Sequence, residues 1–198
     1  MIEITEEKID KGRKDVAWTA GAVMADVGDD KKVVVGTRRW LGPEWVHVDI
    51  DPTDLIDPET GNKHPVNVVG PANRIRVSSD SAGLLYSQEM LEHVPRKEYF
   101  QVLREWARSV KPGGYLWIEV PDFLACCEQV LKTDTLEMDR GIQQLFYGGQ
   151  DNEWDFHFNG FTPRIFEDDF DKLGFDVISM RNGYEAGYLQ AIGRKRHG

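Results

Sequence analysis

The stretch VVVGTRRWLGPEWVHVDID, Val33 to Asp51, holds two short apolar runs, a glycine between them and a carboxylate where the second run ends. Both runs are rich in valine and bounded by turn residues, which reads as two buried strands. Gly36 permits a tight turn after the first strand and a close approach of backbone to a ligand. Asp49, at the end of the second, is placed to accept hydrogen bonds from both hydroxyls of a ribose that lacks a 2′-phosphate. A glycine after a strand also serves as a plain turn, and Asp49 can equally cap the loop DPTD (51–54). These two residues alone leave both readings open.

The rest of the chain continues the alternation. Residues 13–27 read as a helix stopped by Gly28, and residues 51–65 are a loop rich in Pro, Asp, Gly and Asn. VNVV (66–69) and IRV (75–77) compete as the next strand, and GLLYS (83–87) is another buried run. Phe100, Leu103, Trp106, Ala107 and Val110 recur at spacings of three and four, so a helix with one apolar face follows Pro95. KPGG (111–114) ends it, and YLWIEV (115–120) is a strand. Residues 122–147 read as helix with a break. Thr162 and Pro163 open a last helix, with Phe166, Phe170 and Leu173 inside and Gly174 as its stop. FDVISM (175–180) and YLQAIGRK (188–195) close the chain as an antiparallel pair. The expected fold is α/β: a mainly parallel sheet with helices on both faces and an antiparallel terminal edge. In such sheets ligands sit beyond the carboxyl ends of the strands, where strand order reverses. Here that means after Val35, Ile50, Val69, Ser87 and Val120.

The 198 residues suffice for one buried core, and no repeat or low-complexity linker divides them, so a single domain over 1–198 is expected. No run approaches eighteen apolar residues, which excludes a hydrophobic membrane span. The charged start, MIEITEEKIDKGRKD, lacks the apolar segment of a secretory signal, and Cys126 and Cys127 are adjacent, so a reduced, cytoplasmic setting is expected. A net charge of −10 argues against nucleic acid held through its phosphates, despite the basic tail GRKRHG. The partner expected is a small molecule; the oligomeric state stays open.

The segment LLYSQEMLEHVPRKEYFQVLREWARSVKPGGYLWIEVPDF (84–123) is more specific. With VDID (48–51), LEHV (91–94), VKPGG (110–114) and VPD (120–122) in that order, the chain resembles the class I S-adenosylmethionine-dependent methyltransferases, whose fold is Rossmann-like. The resemblance runs from about residue 32 to 175. It implies that the loop Gly36, Thr37 and Arg38 approaches the methionine end of S-adenosylmethionine, with S-adenosylhomocysteine as product. It implies further that Asp49 holds the ribose, that Ile50 lies against the adenine, that Ser87 and Gln88 line the sulfonium side, and that His93 lies below it. A helix-start histidine bonded to a carbonyl is the other reading of His93, and Glu89 and Glu92 read as solvated or capping residues.

Two positions depart from the family pattern. Arg38 stands where a second glycine is usual, and a left-handed backbone there would cost about 1 kcal/mol. Its guanidinium could still hold the cofactor's carboxylate through paired bonds. Pro71 stands where an acidic residue commonly binds the adenine amino group, and Asn73 is the candidate substitute. Spacing adds a third departure. Only nine residues separate Val35 from Trp45, too few for the usual crossover helix between parallel strands. The N-terminal helical segment (1–28) is expected to cover the face left bare.

The loop LFYGGQDNEWDFHFNGF (145–161) falls where related enzymes build their acceptor pocket. Asp155 and His157 share one face if this loop is extended, which suggests His157 as general base, Asp155 as its orienter, and Tyr147 and Gln150 as acceptor contacts. The alternative is a loop pinned by histidine-to-backbone bonds. No metal is expected, since no second histidine lies at ligand spacing from His157. The function these residues imply is O- or N-methylation of a small-molecule or sugar-like acceptor. The alternative is a methyltransferase-like fold without catalysis, serving as a binding or scaffold protein.

Overall fold

A computed structural model describes residues 20–132, 135–182 and 187–198. Among the described residues nine strands and five α-helices follow one another: α1 (20–27), β1 (Lys32–Val35), β2 (Trp45–Asp49), β3 (Leu55–Ile56), β4 (Lys63–His64), β5 (Val68–Val69), β6 (Ala82–Gln88), α2 (Tyr99–Ser109), β7 (Val110–Pro121), α3 (Phe123–Val130), α4 (Leu136–Tyr147), α5 (Pro163–Lys172), β8 (Phe175–Asn182) and β9 (Tyr188–Lys195). Seven strands form one sheet in the order β5-β2-β1-β6-β7-β9-β8, with β3 and β4 as a separate small hairpin. Strands β5 through β7 of that order run parallel, and β9 and β8 add the antiparallel edge. The order reverses between β1 and β6, which fixes where a ligand belongs.

Alternation along the strands sorts the core into two layers. Val33, Val35, Leu85, Leu116, Ile118 and Ala191 face α2 and α5, where Trp106, Phe166 and Phe170 fill the space. Val34, Leu84, Tyr115, Trp117 and Ile192 face the other way and meet Val23 and Val27 of α1. So α1 covers the face opposite α2 and α5; residues 13–19 of the helix expected over 13–27 lie outside the described residues.

Between Val35 and Trp45 the chain crosses without a helix. Backbone bonds, a bridge and a ring stack hold this crossover instead. Gly36 donates its N–H to the Val48 carbonyl at 2.9 Å, and Trp40 donates to Ile56 at 3.0 Å while Arg39 bridges to the same hairpin strand. Trp40 stacks on His64 with ring centroids 3.9 Å apart. Leu41 donates its N–H to Nε2 of the buried His47, whose Nδ1 lies 3.3 Å from the Asn67 side-chain oxygen. His47 therefore acts as an acceptor only in its neutral form.

Three local expectations are corrected. Of the two competing strands, Val68–Val69 pairs with β2, whereas 75–77 forms no strand; Ile75 and Val77 instead bury their side chains beneath α2. Pro95 opens a turn, accepting from Tyr99 N–H at 3.2 Å, and the α-helix itself begins at Tyr99. KPGG lies within the irregular start of β7, past the end of α2. Thr162 sits at the N-cap of α5 as expected, without a side-chain bond.

Replacing both Val23 and Val27 by Ala should lower stability by about 3 kcal/mol, from the apolar surface returned to water, and an unchanged thermal midpoint would refute α1 as a cover for this face. Burial holds the His47 pKa below the ordinary histidine value, against the pull of Asn67. Folding thus favours the neutral ring, and the resulting stability is present above the unfolded value and lost as pH falls below it. The thermal midpoint of wild type should drop more between pH 7.5 and 5.5 than that of His47→Gln.

Candidate active site

Asp49 ends β2 with only 8% of its surface exposed. Its Oδ1 accepts from the Asp51 N–H at 3.0 Å. Burial raises its pKa, opposed by that N–H and by the charge of Arg38. Beside it Ile50 is 50% exposed, an apolar surface next to a carboxylate. Gly36 turns at φ +75°, and a Cβ there would lie 2.2 Å from Cγ of Met90. The left-handed conformation falls on Gly36 and spares Arg38, so the arginine carries no backbone strain. Its guanidinium sits 3.3 Å from Asp51 Oδ2 and 4.0 Å from Asp49 Oδ2. Arg38 thus faces the carboxylates at the end of β2, which corrects the expectation that it reaches toward the methionine end.

Thr37 is buried and its Oγ1 accepts from the Arg39 N–H. Ser87 is 1% exposed and donates its hydroxyl to the Val35 carbonyl, so it ties β6 to β1 and does not face a ligand, contrary to expectation. Gln88, half-buried, ends β6 opposite Glu119. Asn73 lies half-buried on the turn after β5, closed by Arg74 N–H to the Pro71 carbonyl.

A second group of residues gathers beyond the carboxyl ends of β6 and β7. A cavity of about 430 Å³ is walled by Glu89, Glu92 and His93 on one side and by α4, Gly148 and His157 on the other. Segment 155–159 is extended: Asp155, His157 and Asn159 turn inward while Phe156 and Phe158 are exposed. It is pinned by Phe158 N–H to the Glu92 carbonyl at 2.8 Å and by the Asn159 amide to the Val94 carbonyl at 2.5 Å. Gly148 makes its passage possible, since a Cβ there would stand 1.9 Å from the Asp155 carbonyl oxygen.

The two imidazoles meet here, with ring centroids 4.7 Å apart. Nδ1 of His93 lies 3.2 Å from the Phe156 carbonyl and Nδ1 of His157 lies 2.9 Å from the Leu145 carbonyl. A carbonyl accepts only, so both Nδ1 atoms carry the proton and both lone pairs are on Nε2. Burial lowers both pKa values, and for His93 the neighbouring His157 adds to the effect. His93 therefore belongs to the cavity wall. Asp155 does face the same side as His157, but the Leu145 carbonyl orients the ring, which corrects the role expected of Asp155. Tyr147 is exposed and, with Gln150, lines a shallower hollow adjoining the cavity.

Residues 33–118 match the Methyltransferase domain family. Three solved structures share the fold: 1,6-didemethyltoxoflavin-N1-methyltransferase of Burkholderia thailandensis (15% identity, TM-score 0.56, covering 100% of this chain and 92% of that one), an S-adenosylmethionine-dependent methyltransferase of Mesorhizobium loti (15%, 0.58, 94% and 100%) and another of Methanosarcina mazei (15%, 0.57, 89% and 98%). No curated protein matches in sequence. The fold of the chain is that of the class I methyltransferases, and residues 33–118 carry the domain match. The cofactor of that family is S-adenosylmethionine.

The residues present in this chain fit that cofactor: a buried carboxylate, an adjacent exposed isoleucine and a glycine turn stand together at the switch point. The sequence reading missed Glu92, taken as solvated or capping. It is 1% exposed, with no hydrogen-bond partner at either carboxylate oxygen among the described residues, and burial pushes its pKa up to about 8. The signal was the LEHV motif, whose glutamate directly follows the fully buried Leu91 in a short turn (Leu91–His93).

Gly148→Ala should cost more than about 1 kcal/mol, from the positive φ and the collision with Asp155. Gly141→Ala, on α4 where a Cβ meets nothing, should instead stabilise by about 0.5–1 kcal/mol. Equal thermal midpoints for the two variants would contradict this account of the cavity wall.

Proposed function

We propose that this chain moves the methyl group of S-adenosylmethionine to an oxygen or nitrogen of a small molecule seated in the cavity between the Leu91–His93 turn, α4 and segment 148–157. When bound, the cofactor supplies an electrophilic methyl group on a positively charged sulfur. Asp49 would accept the ribose hydroxyls, Ile50 would lie against the adenine, and Gly36 would provide the turn that lets the loop close over β1. The observation that carries the reading is the double duty of one segment. Residues 89–93 touch Gly36 through Met90 and wall the cavity through Glu89, Glu92 and His93. Donor and acceptor would then lie on either side of the same few residues, where positioning alone can supply much of the acceleration.

A protic acceptor must give up a proton, and the wall it would meet offers the Nε2 lone pairs of His157 and His93. Asp155 acts on His157 through its charge. The net charge of −10 favours a small acceptor over a polyanion. Tyr147 and Gln150 would touch the part of an acceptor that extends out of the cavity.

Calorimetric titration with S-adenosylmethionine and S-adenosylhomocysteine tests the cofactor site. Wild type should bind both at micromolar concentration. Asp49→Ala should weaken binding at least tenfold, as expected for loss of about 1.5–3 kcal/mol from hydrogen bonds to a charged group. Arg38→Ala should change it less than about fivefold, because a half-exposed ion pair is worth about 0–1 kcal/mol. No binding of either compound by the wild type would mean that the fold is kept without its chemistry.

A further inference from the structure

Glu92 is the most costly side chain in the cavity wall. A buried carboxyl with no hydrogen-bond partner among the described residues forfeits its hydration, and only the pull of its own backbone N–H offsets the loss. It is followed directly by His93, and the fold brings His157 to both from 64 residues later in the chain. One donor atom from each of Glu92, His93 and His157 lies within 4.8 Å of the other two. The two imidazoles are neutral, and each has its Nδ1 proton held by a backbone carbonyl. That is the arrangement by which outer-shell partners aim a histidine's Nε2 at a metal. Glu89, whose Oε1 accepts from the Tyr188 hydroxyl at 2.6 Å, adds a second carboxylate to the same wall.

We propose that Glu92, His93 and His157 bind a divalent first-row transition cation on the wall of the acceptor cavity. Two imidazoles and one carboxylate make a donor set suited to zinc, cobalt, iron or manganese, and poorly suited to magnesium or calcium, which prefer oxygen throughout. Three protein ligands leave at least one coordination position open. That position faces the cavity, where an oxygen or nitrogen of the acceptor completes the shell. In this arrangement the His157 lone pair goes to the cation and not directly to the acceptor's proton. The cation's role toward an acceptor rests on the methyl-transfer reading above; its binding does not.

The test is calorimetry of the full chain, freed of metal by chelation, against Zn²⁺ and separately Mg²⁺, with Co²⁺ as an optical probe. Zn²⁺ should bind one per chain with micromolar or tighter affinity, at least a hundredfold more tightly than Mg²⁺. Co²⁺ should give visible absorption bands that Zn²⁺ displaces. Glu92→Gln, His93→Gln and His157→Gln should each weaken Zn²⁺ at least tenfold, while Asp155→Asn leaves it within a few fold. Thermal melting and S-adenosylhomocysteine affinity of each variant separate loss of ligands from loss of fold, since both should stay near wild type. Absence of Zn²⁺ and Co²⁺ binding by the wild type, or binding that survives all three glutamine variants, overturns the proposal. Zn²⁺ binding without S-adenosylhomocysteine binding would leave the metal site standing and remove the methyl-transfer reading.

Discussion

Nine residues between Val35 and Trp45 are too few to build the helix that usually carries one parallel strand to the next, and much of the molecule answers that constraint. The crossover must return to the sheet as a loop, so its polar backbone needs partners that a helix would have supplied internally. It finds them in the Val48 carbonyl, in the β3–β4 hairpin and in the ring of His47. The hairpin is therefore more than an insertion between β2 and β5, because it takes over part of the missing helix's hydrogen bonding. Without that helix, one face of the sheet also lacks a layer. Val23 and Val27 of α1 supply it, while Glu119 occupies the same face with bonds from Trp117, Gln190 and Tyr86.

The parts of the fold written locally in the sequence were legible. Valine-rich runs, the 3-4 spacing of α2, the break between α3 and α4 and the closing strand pair all depend on near neighbours. Asp122, read only as part of a motif, caps α3 by accepting from Leu124 and Ala125 N–H. What escaped was set at a distance. Two strand-like triplets of similar composition, around Val68 and Ile75, differ only in which meets the edge of β2. Pro95 fits a first helical turn by its own geometry, yet the neighbouring chain takes up a separate turn before the helix begins.

The candidate site divides in the same way. Gly36 and Asp49 stand at strand ends, and strand ends can be read from periodicity, so their placement followed. Ser87 also stands near a strand end, but its small hydroxyl found the Val35 carbonyl across the sheet, a partner 52 residues away. The metal question turned on the same limit. Ligand spacing within one segment offers His157 no second histidine, whereas the fold brings His93 to it through Phe158 N–H and the Glu92 carbonyl. A short backbone bond between two distant loops thus sets the relation of the side chains on either side of it.

Arg38 shows how one residue can look damaging by pattern and harmless by structure. The family loop wants glycine there for conformational room, but the turn at Gly36 already absorbs the positive φ. The side chain then leaves the loop toward solvent and ends 3.3 Å from Asp51, with Asp49 slightly beyond. Two carboxylates two residues apart repel each other, and burial makes ionisation of Asp49 harder still. A guanidinium at that distance favours the ionised form of both, and the ionised form is the one that accepts two hydroxyl hydrogens. Because the arginine is 49% exposed, its pull is screened and its position is easily given up. It favours the charged form of Asp49 without holding it, which is compatible with a carboxylate that must remain open to another partner.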